Sequence, residues 1–183
     1  MPLLQHPYRR LLRWIVLTVV AVDQLTKALV RMELPLHSRV RVLPGFLDLV
    51  HIQNPGAAWG LMRTVEARMV IFTFITLTAF AVLLGWHRRL RPHQDLLAIA
   101  LSLLVAGAAG NFLDRLMYRA VTDFIEPYVG GALGDAMLRA GWSPRFPAFN
   151  VADVAITVGT LLFLYHSLVL EPRRQAAGER SAP

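Results

Sequence analysis

The chain has 183 residues, of which 55% are hydrophobic, and its mean hydropathy is +0.47. Apolar content at this level is uncommon in a soluble domain of similar length, so the sequence favours one compact membrane domain. Because the chain contains no cysteine, disulfide bonds, thiolate metal ligands and cysteine nucleophiles are excluded. The net charge of +7 comes mainly from arginines beside apolar stretches, which favours a role in membrane topology over nucleic-acid binding.

Four stretches predict transmembrane helices, since crossing a bilayer takes about 20 mostly apolar residues. They cover residues 11–30, 68–86, 96–117 and 151–170. Residues 1–170 therefore predict a single integral membrane domain, and the polar residues 171–183 a cytoplasmic tail. Arginines precede the first stretch as they would in a secretory signal, but no small-residue cleavage site follows, which favours a retained helix.

Clusters of arginine indicate the topology of these helices. They precede the first stretch, fill the connection between the second and third, and follow the fourth: Arg9, Arg10, Arg13, Arg88, Arg89, Arg91, Arg173, Arg174 and Arg180. The positive-inside rule makes this side cytoplasmic, so both termini are expected in the cytoplasm.

The first outer connection is expected to contain β structure. Residues 40–53 include short β-like runs around the turn signal Pro44-Gly45, which predict a small hairpin or sheet on the membrane surface. The predicted fold class is therefore an all-α membrane protein with four transmembrane helices and a small β-containing extracytoplasmic segment.

Polar side chains gather near the outer ends of the predicted helices. An ionisable group at the bilayer centre costs about 2.5–3.5 kcal/mol on insertion scales, so each needs a partner or a function. The residues concerned are Asp23, Lys27, Asn111, Asp114, Arg115, Asp123, Asn150 and Asp153. Their common depth predicts a site in the outer leaflet.

Two pairs in this layer have the i and i+4 spacing that places side chains on one helix face. Asp23 and Lys27 are predicted to form an ion pair, and Asn111 and Arg115 share the spacing. We interpret Asp23, Lys27 and Arg115 as an interhelical lock in preference to groups with a direct chemical role.

Asp123 and Asp153 lack a basic residue one helical turn away, and both have largely apolar neighbours. We expect Asp123 at the end of a helix. If the two carboxylates face each other, one keeps a proton near neutral pH while the other ionises. Such a pair hydrolyses peptides, because the ionised group draws a proton from water and the protonated group polarises the scissile carbonyl. A helix cap and a surface residue explain the two positions equally well.

Five motifs follow one another along the chain. They are Val-Asp-Gln-Leu-Thr-Lys at 22–27, Asn-Pro-Gly-Ala-Ala-Trp-Gly at 54–60, Gly-Ala-Ala-Gly-Asn-Phe-Leu-Asp-Arg at 107–115, Val-Thr-Asp-Phe-Ile at 121–125 and Phe-Asn-Val-Ala-Asp at 149–153. Taken together and in this order, they resemble the motifs of lipoprotein signal peptidases, the signal peptidase II family. The resemblance covers roughly residues 11–170.

The resemblance implies an aspartyl endopeptidase that removes signal peptides from diacylglyceryl-modified prolipoproteins, cutting just before the lipidated cysteine. It implies that Asp123 and Asp153 are the catalytic pair. The residues implied to bind substrate or support the site are Asn54, Gly56, Asn111, Arg115, Asn150, Asp23, Lys27 and Asp114. No metal or cofactor is expected. The expected partners are the prolipoprotein and membrane lipid, without nucleic acid, and a monomer in the bacterial inner membrane is the simplest expectation.

The connection between the catalytic motifs departs from the family pattern. Residues 124–148 form a longer segment than the family usually has, and 130–143 resemble an insertion. Asp135 within it is interpreted as a loop residue without a catalytic role.

Other functions fit the sequence less well. There is no His-Glu-x-x-His motif, no serine at the depth of Lys27, and no Gly-x-Gly-Asp motif of presenilin-type proteases. A small proton-coupled transporter would also carry intramembrane Asp and Lys, but usually near the midplane and with internal repeats. A non-catalytic membrane subunit leaves the two aspartates unexplained. Replacing either aspartate with asparagine discriminates among these alternatives.

Overall fold

A computed structural model of the protein describes residues 8–56 and 65–173. Residues 57–60 of the second motif and the tail from 174 onwards lie outside the described residues. The elements are α1 (Arg9–Glu33), β1 (Arg39–Leu43), β2 (Leu47–Asn54), α2 (Val65–His87), α3 (Asp95–Tyr118), β3 (Val121–Pro127), α4 (Gly131–Arg139), α5 (Val151–Tyr165) and a π-helical turn (His166–Leu170).

Helices dominate the architecture, as the sequence predicts. Within the described residues, three helices are long and apolar enough to cross a membrane: Met69–His87, Asp95–Tyr118 and Val151–Arg173. The first predicted span is also helical, because α1 runs for 25 residues. Helix α1 is long enough to cross a membrane but is not as apolar as these three, because Asp23, Lys27 and flanking arginines interrupt its apolar stretch.

Helix α3 lies at the centre and packs against α1, α2 and α5. Two glycines permit this close packing. A Cβ atom on Gly107 would lie 2.4 Å from the carbonyl oxygen of Ala152, and one on Gly110 would lie 2.6 Å from Oδ2 of Asp23. The small residues at 107–110 therefore allow the approach that their sequence predicts.

The sheet has three antiparallel strands in the order β1, β2, β3. The predicted hairpin is confirmed: β1 and β2 pair around a turn in which Gly45 has a φ of +83°. The third strand corrects the prediction for Asp123. This residue lies on β3 opposite Ile52 rather than at a helix end. Helix α3 stops at Tyr118, Arg119 takes a left-handed conformation with φ +58°, and the chain turns back along β2.

The connection between β3 and α5 contains the short helix α4, which the sequence analysis did not predict. Its residue Asp135 is exposed. The base of the connection is closed by a bridge between Tyr128 and Arg145 and by a 2.8 Å hydrogen bond from Val129 N to Pro144 O. Residues 130–143 thus leave the sheet and return to it at one place.

Candidate active site

A buried lysine organises the junction of α1 and α3. Lys27 is fully buried, and its Nζ lies 2.9 Å from Oδ2 of Asp23, which confirms the predicted i, i+4 ion pair. The same Nζ lies 3.5 Å from Oδ2 of Asp114 and donates a 3.0 Å hydrogen bond to Oδ1 of Asn111. One cation therefore holds two carboxylates and orients an asparagine amide.

Asp23 and its neighbour Gln24 connect three helices. Oδ1 of Asp23 accepts a 2.9 Å hydrogen bond from the backbone N–H of Ala152 at the start of α5. Gln24 donates to Asp23, to Gly110 O at 3.1 Å and to Asp114 at 3.2 Å. Gln24 was not among the predicted site residues, although it lies inside the first motif.

Asp114 fixes the start of β3. It accepts a 2.8 Å hydrogen bond from the backbone N–H of Thr122 and lies 3.5 Å from Nη1 of Arg31. The same Nη1 donates to the Thr122 hydroxyl over 2.9 Å. Sequence reasoning missed Arg31, but its position four residues after Lys27 on α1 was a usable signal.

Asp123 is 3% exposed, which excludes the interpretation of a surface residue. Both of its carboxylate oxygens accept hydrogen bonds from side-chain amides. Asn54 at the end of β2 donates to Oδ2 over 3.0 Å, and Asn150 donates to Oδ1 over 2.8 Å. The strand pairing of β2 with β3 brings Asn54 to this position.

Asp153 is half-buried in the first turn of α5. It forms a capping box with Asn150: each side chain accepts from the other residue's backbone N–H, over 3.0 and 3.1 Å. Asn150 is the N-cap, and Asp153 takes part in the cap as the N3 residue of the box. Oδ1 of Asp153 also accepts a 2.7 Å hydrogen bond from Asn111. Asn150 in turn donates to Asn111 over 3.2 Å, so the two asparagines connect Asp153 with Asp123.

Burial raises the pKa of Asp123 from its ordinary value of 3.8 to about 6. The hydrogen bond from Asn54 lowers this pKa, the negative charge of Asp153 raises it, and the hydrogen bond from Asn150 lowers it. Burial thus outweighs the amide donors. Within the described residues, no cationic side chain forms an ion pair with either aspartate. A pair with these properties can hold one proton near neutral pH.

Arg115 and Gly56 lie at the edge of this group. The Arg115 guanidinium stacks 4.6 Å above the ring of Phe72 on α2, and its Nη1 donates weakly to Asn111 O over 3.4 Å. Its Nε is buried without a hydrogen-bond partner among the described residues. Arg115 therefore contacts another helix through an aromatic ring rather than through an ion pair. Gly56 donates its N–H to Oδ1 of Asn54 over 2.9 Å.

Comparisons with known proteins show the family and the fold that this chain resembles. The family model for signal peptidase (SPase) II matches residues 15–169. The lipoprotein signal peptidase of Syntrophotalea carbinolica is 40% identical over 155 residues, covering 85% of this chain and 89% of the relative. That of Desulforapulum autotrophicum is 39% identical over 150 residues, covering 81% and 85%. A solved bacterial membrane enzyme has a TM-score of 0.74 and 30% identity, covering 88% of this chain and 94% of its own.

Proposed function

The chain belongs to the signal peptidase II family, and we propose that it is an aspartyl endopeptidase of the bacterial inner membrane that releases signal peptides from diacylglyceryl-modified prolipoproteins. Cleavage falls just before the lipidated cysteine. The observation that carries the proposal is the pairing of Asp123 and Asp153 through two asparagines, with the pKa of Asp123 raised to about 6.

In the proposed mechanism Asp123 and Asp153, which we call the dyad, share one proton between their carboxylates. The more buried Asp123 holds it and donates a hydrogen bond to the scissile carbonyl, which makes the carbonyl carbon more electrophilic. The half-buried Asp153 is ionised and takes a proton from the attacking water. The water oxygen bonds to the carbonyl carbon while the proton on Asp123 passes to the carbonyl oxygen, which gives a tetrahedral gem-diol. The C–N bond then breaks as Asp153 gives its proton to the leaving amine, and Asp123 takes a proton back from one hydroxyl, so both carboxylates return to their starting states. No covalent intermediate forms.

The neighbouring polar residues orient this pair. Asn54 and Asn150 hold Asp123, and Asn111 holds Asp153. Asp23, Lys27 and Asp114 keep the supporting helices in register. In this proposal Arg115 uses its Nε, which has no hydrogen-bond partner in the described part of the chain, to bind a backbone carbonyl of the substrate. Gly56 fixes Asn54 at the edge of the site through the hydrogen bond from its N–H.

Four transmembrane helices, including α1, are the topology we propose. The 25 residues of α1 span about 38 Å at 1.5 Å per residue, enough for a bilayer. Large apolar side chains cover its outer face: Trp14, Leu17, Val22, Leu25, Leu29 and Met32 are exposed. Its charged residues Asp23 and Lys27 are fully buried and do not meet lipid.

The proposed orientation places both termini in the cytoplasm and the site near the outer leaflet. The N-terminal end of α1 lies beside the connection of α2 and α3, because Tyr8 accepts a 2.9 Å hydrogen bond from Gln94 N. Two of the three arginine clusters therefore share one end, at the side that the positive-inside rule makes cytoplasmic. A substrate anchored by its lipid reaches an outer-leaflet site laterally, and a single copy of the chain carries every residue that the mechanism uses.

The test is cleavage of a diacylglyceryl-modified lipobox peptide by the purified protein, compared with Asp123→Asn and Asp153→Asn. Both substitutions keep the side-chain size and remove the acid. We expect wild-type cleavage before the modified cysteine, and loss of turnover with retained peptide binding in both variants. Asp135→Asn on α4 is the matched control and should cleave normally. A wild-type protein that never cleaves, or normal cleavage by both dyad variants, contradicts the proposal.

A further inference from the structure

Four charged side chains form a cluster on the sheet, away from the polar residues described above. Arg145 donates through one nitrogen, Nη1, to Oδ2 of Asp48 at 2.9 Å and to Oε2 of Glu126. Arg39 approaches the same two carboxylates, with its Nε 3.3 Å from Asp48 and its Nη2 2.7 Å from Glu126. We call Arg39, Asp48, Glu126 and Arg145 the sheet cluster.

The sheet cluster is balanced in charge but buried unequally. Asp48 is 1% exposed and Glu126 6%, so both carboxylates are shielded from water. Oδ1 of Asp48 has no hydrogen-bond partner among the described residues. The guanidinium of Arg145 is partly exposed and also stacks 4.8 Å from the ring of Tyr128. A buried carboxylate with one oxygen that accepts no hydrogen bond is stabilised mainly by the neighbouring cations, here Arg39 and Arg145.

Three of the four members of the sheet cluster lie on segments that lead to the dyad. Asp48 is on β2, which ends in Asn54, and Glu126 is on β3, which carries Asp123. Arg145 lies five positions before Asn150, and this short stretch pairs with β3 on its way to α5. Phe149 O accepts from the backbone N–H groups of residues 124 and 125 over 3.0 and 2.9 Å.

The same arginine closes the base of the connection that contains α4. Tyr128 and Arg145 form the bridge at which residues 130–143 leave and rejoin the sheet. Residues 130–143 contact the rest of the structure at this base, for example through a 2.9 Å hydrogen bond from Gly130 N to Gly45 O. The Arg145 contacts therefore lie between α4 and the segments that carry the dyad.

We propose that Arg145 is a positioning residue for the dyad. By binding Asp48 and Glu126 together, it ties the segment that begins α5 to the two strands that carry Asn54 and Asp123. These contacts thereby keep Asp123 and Asp153 at a fixed separation. Residues 130–143, which include α4, lie outside the segments that Arg145 connects. This inference rests on the proposed peptidase function. Arg145 touches neither the substrate nor the reacting atoms.

The experiment uses Arg145→Met combined with Glu126→Gln in the full-length protein. The double variant removes the charges of Arg145 and Glu126 together and leaves Arg39 paired with Asp48. The charge of the sheet cluster remains balanced, so we expect the protein to fold. We expect a thermal midpoint near that of wild type, an unchanged KM and a kcat lower by about 10²-fold, because small misplacements of reacting groups have effects of this size. The single variant Arg145→Lys keeps a cation at this position, so its kcat should lie between those of the double variant and wild type. Arg139→Met on the exposed face of α4 is the matched control and should leave kcat unchanged.

A second measurement does not depend on cleavage. The side-chain amide NMR signals of Asn54 and Asn150 should shift in the double variant and stay in place in Arg139→Met. Wild type and Asp153→Asn are assayed in parallel, so failure of the peptidase proposal appears as absent wild-type cleavage, whereas the NMR signals test the positioning role alone.

The positioning role is overturned by a folded double variant with wild-type kcat and unshifted amide signals. It is equally overturned if the charge-balanced double variant cannot fold, since the sheet cluster would then act on stability alone.

Discussion

The side-chain amide of Asn150 donates a 2.8 Å hydrogen bond to Oδ1 of Asp123. The carbonyl oxygen of the same side chain caps α5 by accepting from the backbone N–H of Asp153 over 3.0 Å. One residue thus orients the first aspartate and begins the helix that carries the second. A substitution that keeps the cap and removes the amide separates these two effects.

Asn150→Ser is expected to keep the cap, because serine is among the preferred N-cap residues, but it lacks the amide donor. Its kcat should fall while its thermal midpoint stays near that of wild type. Asn150→Ala loses both functions and should also lose about 1 kcal/mol of stability. Cleavage assays and thermal unfolding in detergent measure the two effects. Equal kcat in Asn150→Ser and wild type would show that the donor is dispensable.

The raised pKa of Asp123 predicts the pH dependence of cleavage. Because kcat/KM reports the free enzyme, it should decline as pH rises through about 6, where Asp123 loses its proton. Asn54→Ala removes a hydrogen bond that favours the ionised carboxylate, so its basic limb should move to higher pH. The measurement is kcat/KM between pH 4 and 9 for both proteins. A limb that does not move in Asn54→Ala contradicts the assignment of the proton to Asp123.

The same shift predicts a pH-dependent stability. The folded-state pKa of Asp123 is about 6 against 3.8 ordinarily, so the folded protein binds more protons between these values. The free energy of unfolding therefore falls as pH rises through this window, and the loss is complete above about pH 6. Asp123→Asn cannot ionise and escapes the loss. We therefore compare the free energy of unfolding of Asp123→Asn with that of wild type at each pH. The advantage of the variant should be larger at pH 7.5 than at pH 4, by on the order of 3 kcal/mol.

Unfolding of both proteins at the two pH values tests this difference, with Asp135→Asn on the exposed face of α4 as the control. The control should follow wild type at both pH values. A stability difference between Asp123→Asn and wild type that is independent of pH would mean that folding does not change the pKa of Asp123.

Local spacing was enough to predict part of this structure. The Asp23–Lys27 ion pair follows from an i, i+4 arrangement, and the β1–β2 hairpin follows from a turn signal between β-like runs. Both depend on residues close together in the chain. The burial of Asp23 and Lys27 and their shared partner on α3 depend on helix packing, which spacing within one helix does not determine.

The strand that carries Asp123 was beyond the reach of local patterns. Four consecutive residues of β3, from Val121 to Phe124, are buried, so the strand has no apolar–polar alternation to recognise. Its partner β2 lies 69 positions earlier at the Asn54–Asp123 contact. The contacts of Arg145 with Asp48, 97 positions away, were invisible for the same reason.

Removing Lys27 should destabilise the protein strongly. Lys27→Met leaves the fully buried Asp23 and Asp114 carboxylates without the cation between them, and breaking a buried pair in this way costs about 3–5 kcal/mol. Adding Asp23→Asn to the variant restores the charge balance and should recover part of the loss. Thermal unfolding in detergent measures both variants. A single variant as stable as wild type would mean that lipid or water compensates the two carboxylates.

Gly56 should tolerate a side chain poorly, and a second glycine provides the control. Gly56 has a φ of +72°, and a Cβ atom there would lie 2.4 Å from Cε2 of Phe72. Gly45 has a similar φ of +83° with no atom within 4 Å of the added Cβ. Alanine at either position therefore introduces comparable backbone strain, about 1–2 kcal/mol, but only the change at Gly56 also produces a steric clash.

The clash at Gly56 should reach Asp123 through Asn54. Gly56 N donates to Oδ1 of Asn54, whose amide donates to Asp123, so displacement of the glycine moves a hydrogen-bond donor of Asp123. Gly56→Ala should lower kcat, whereas Gly45→Ala should cost stability alone. Phe72→Leu added to Gly56→Ala shortens the opposing side chain and should restore part of kcat. Similar kcat losses in the two alanine variants would assign the effect to backbone strain and exclude the route through Asn54.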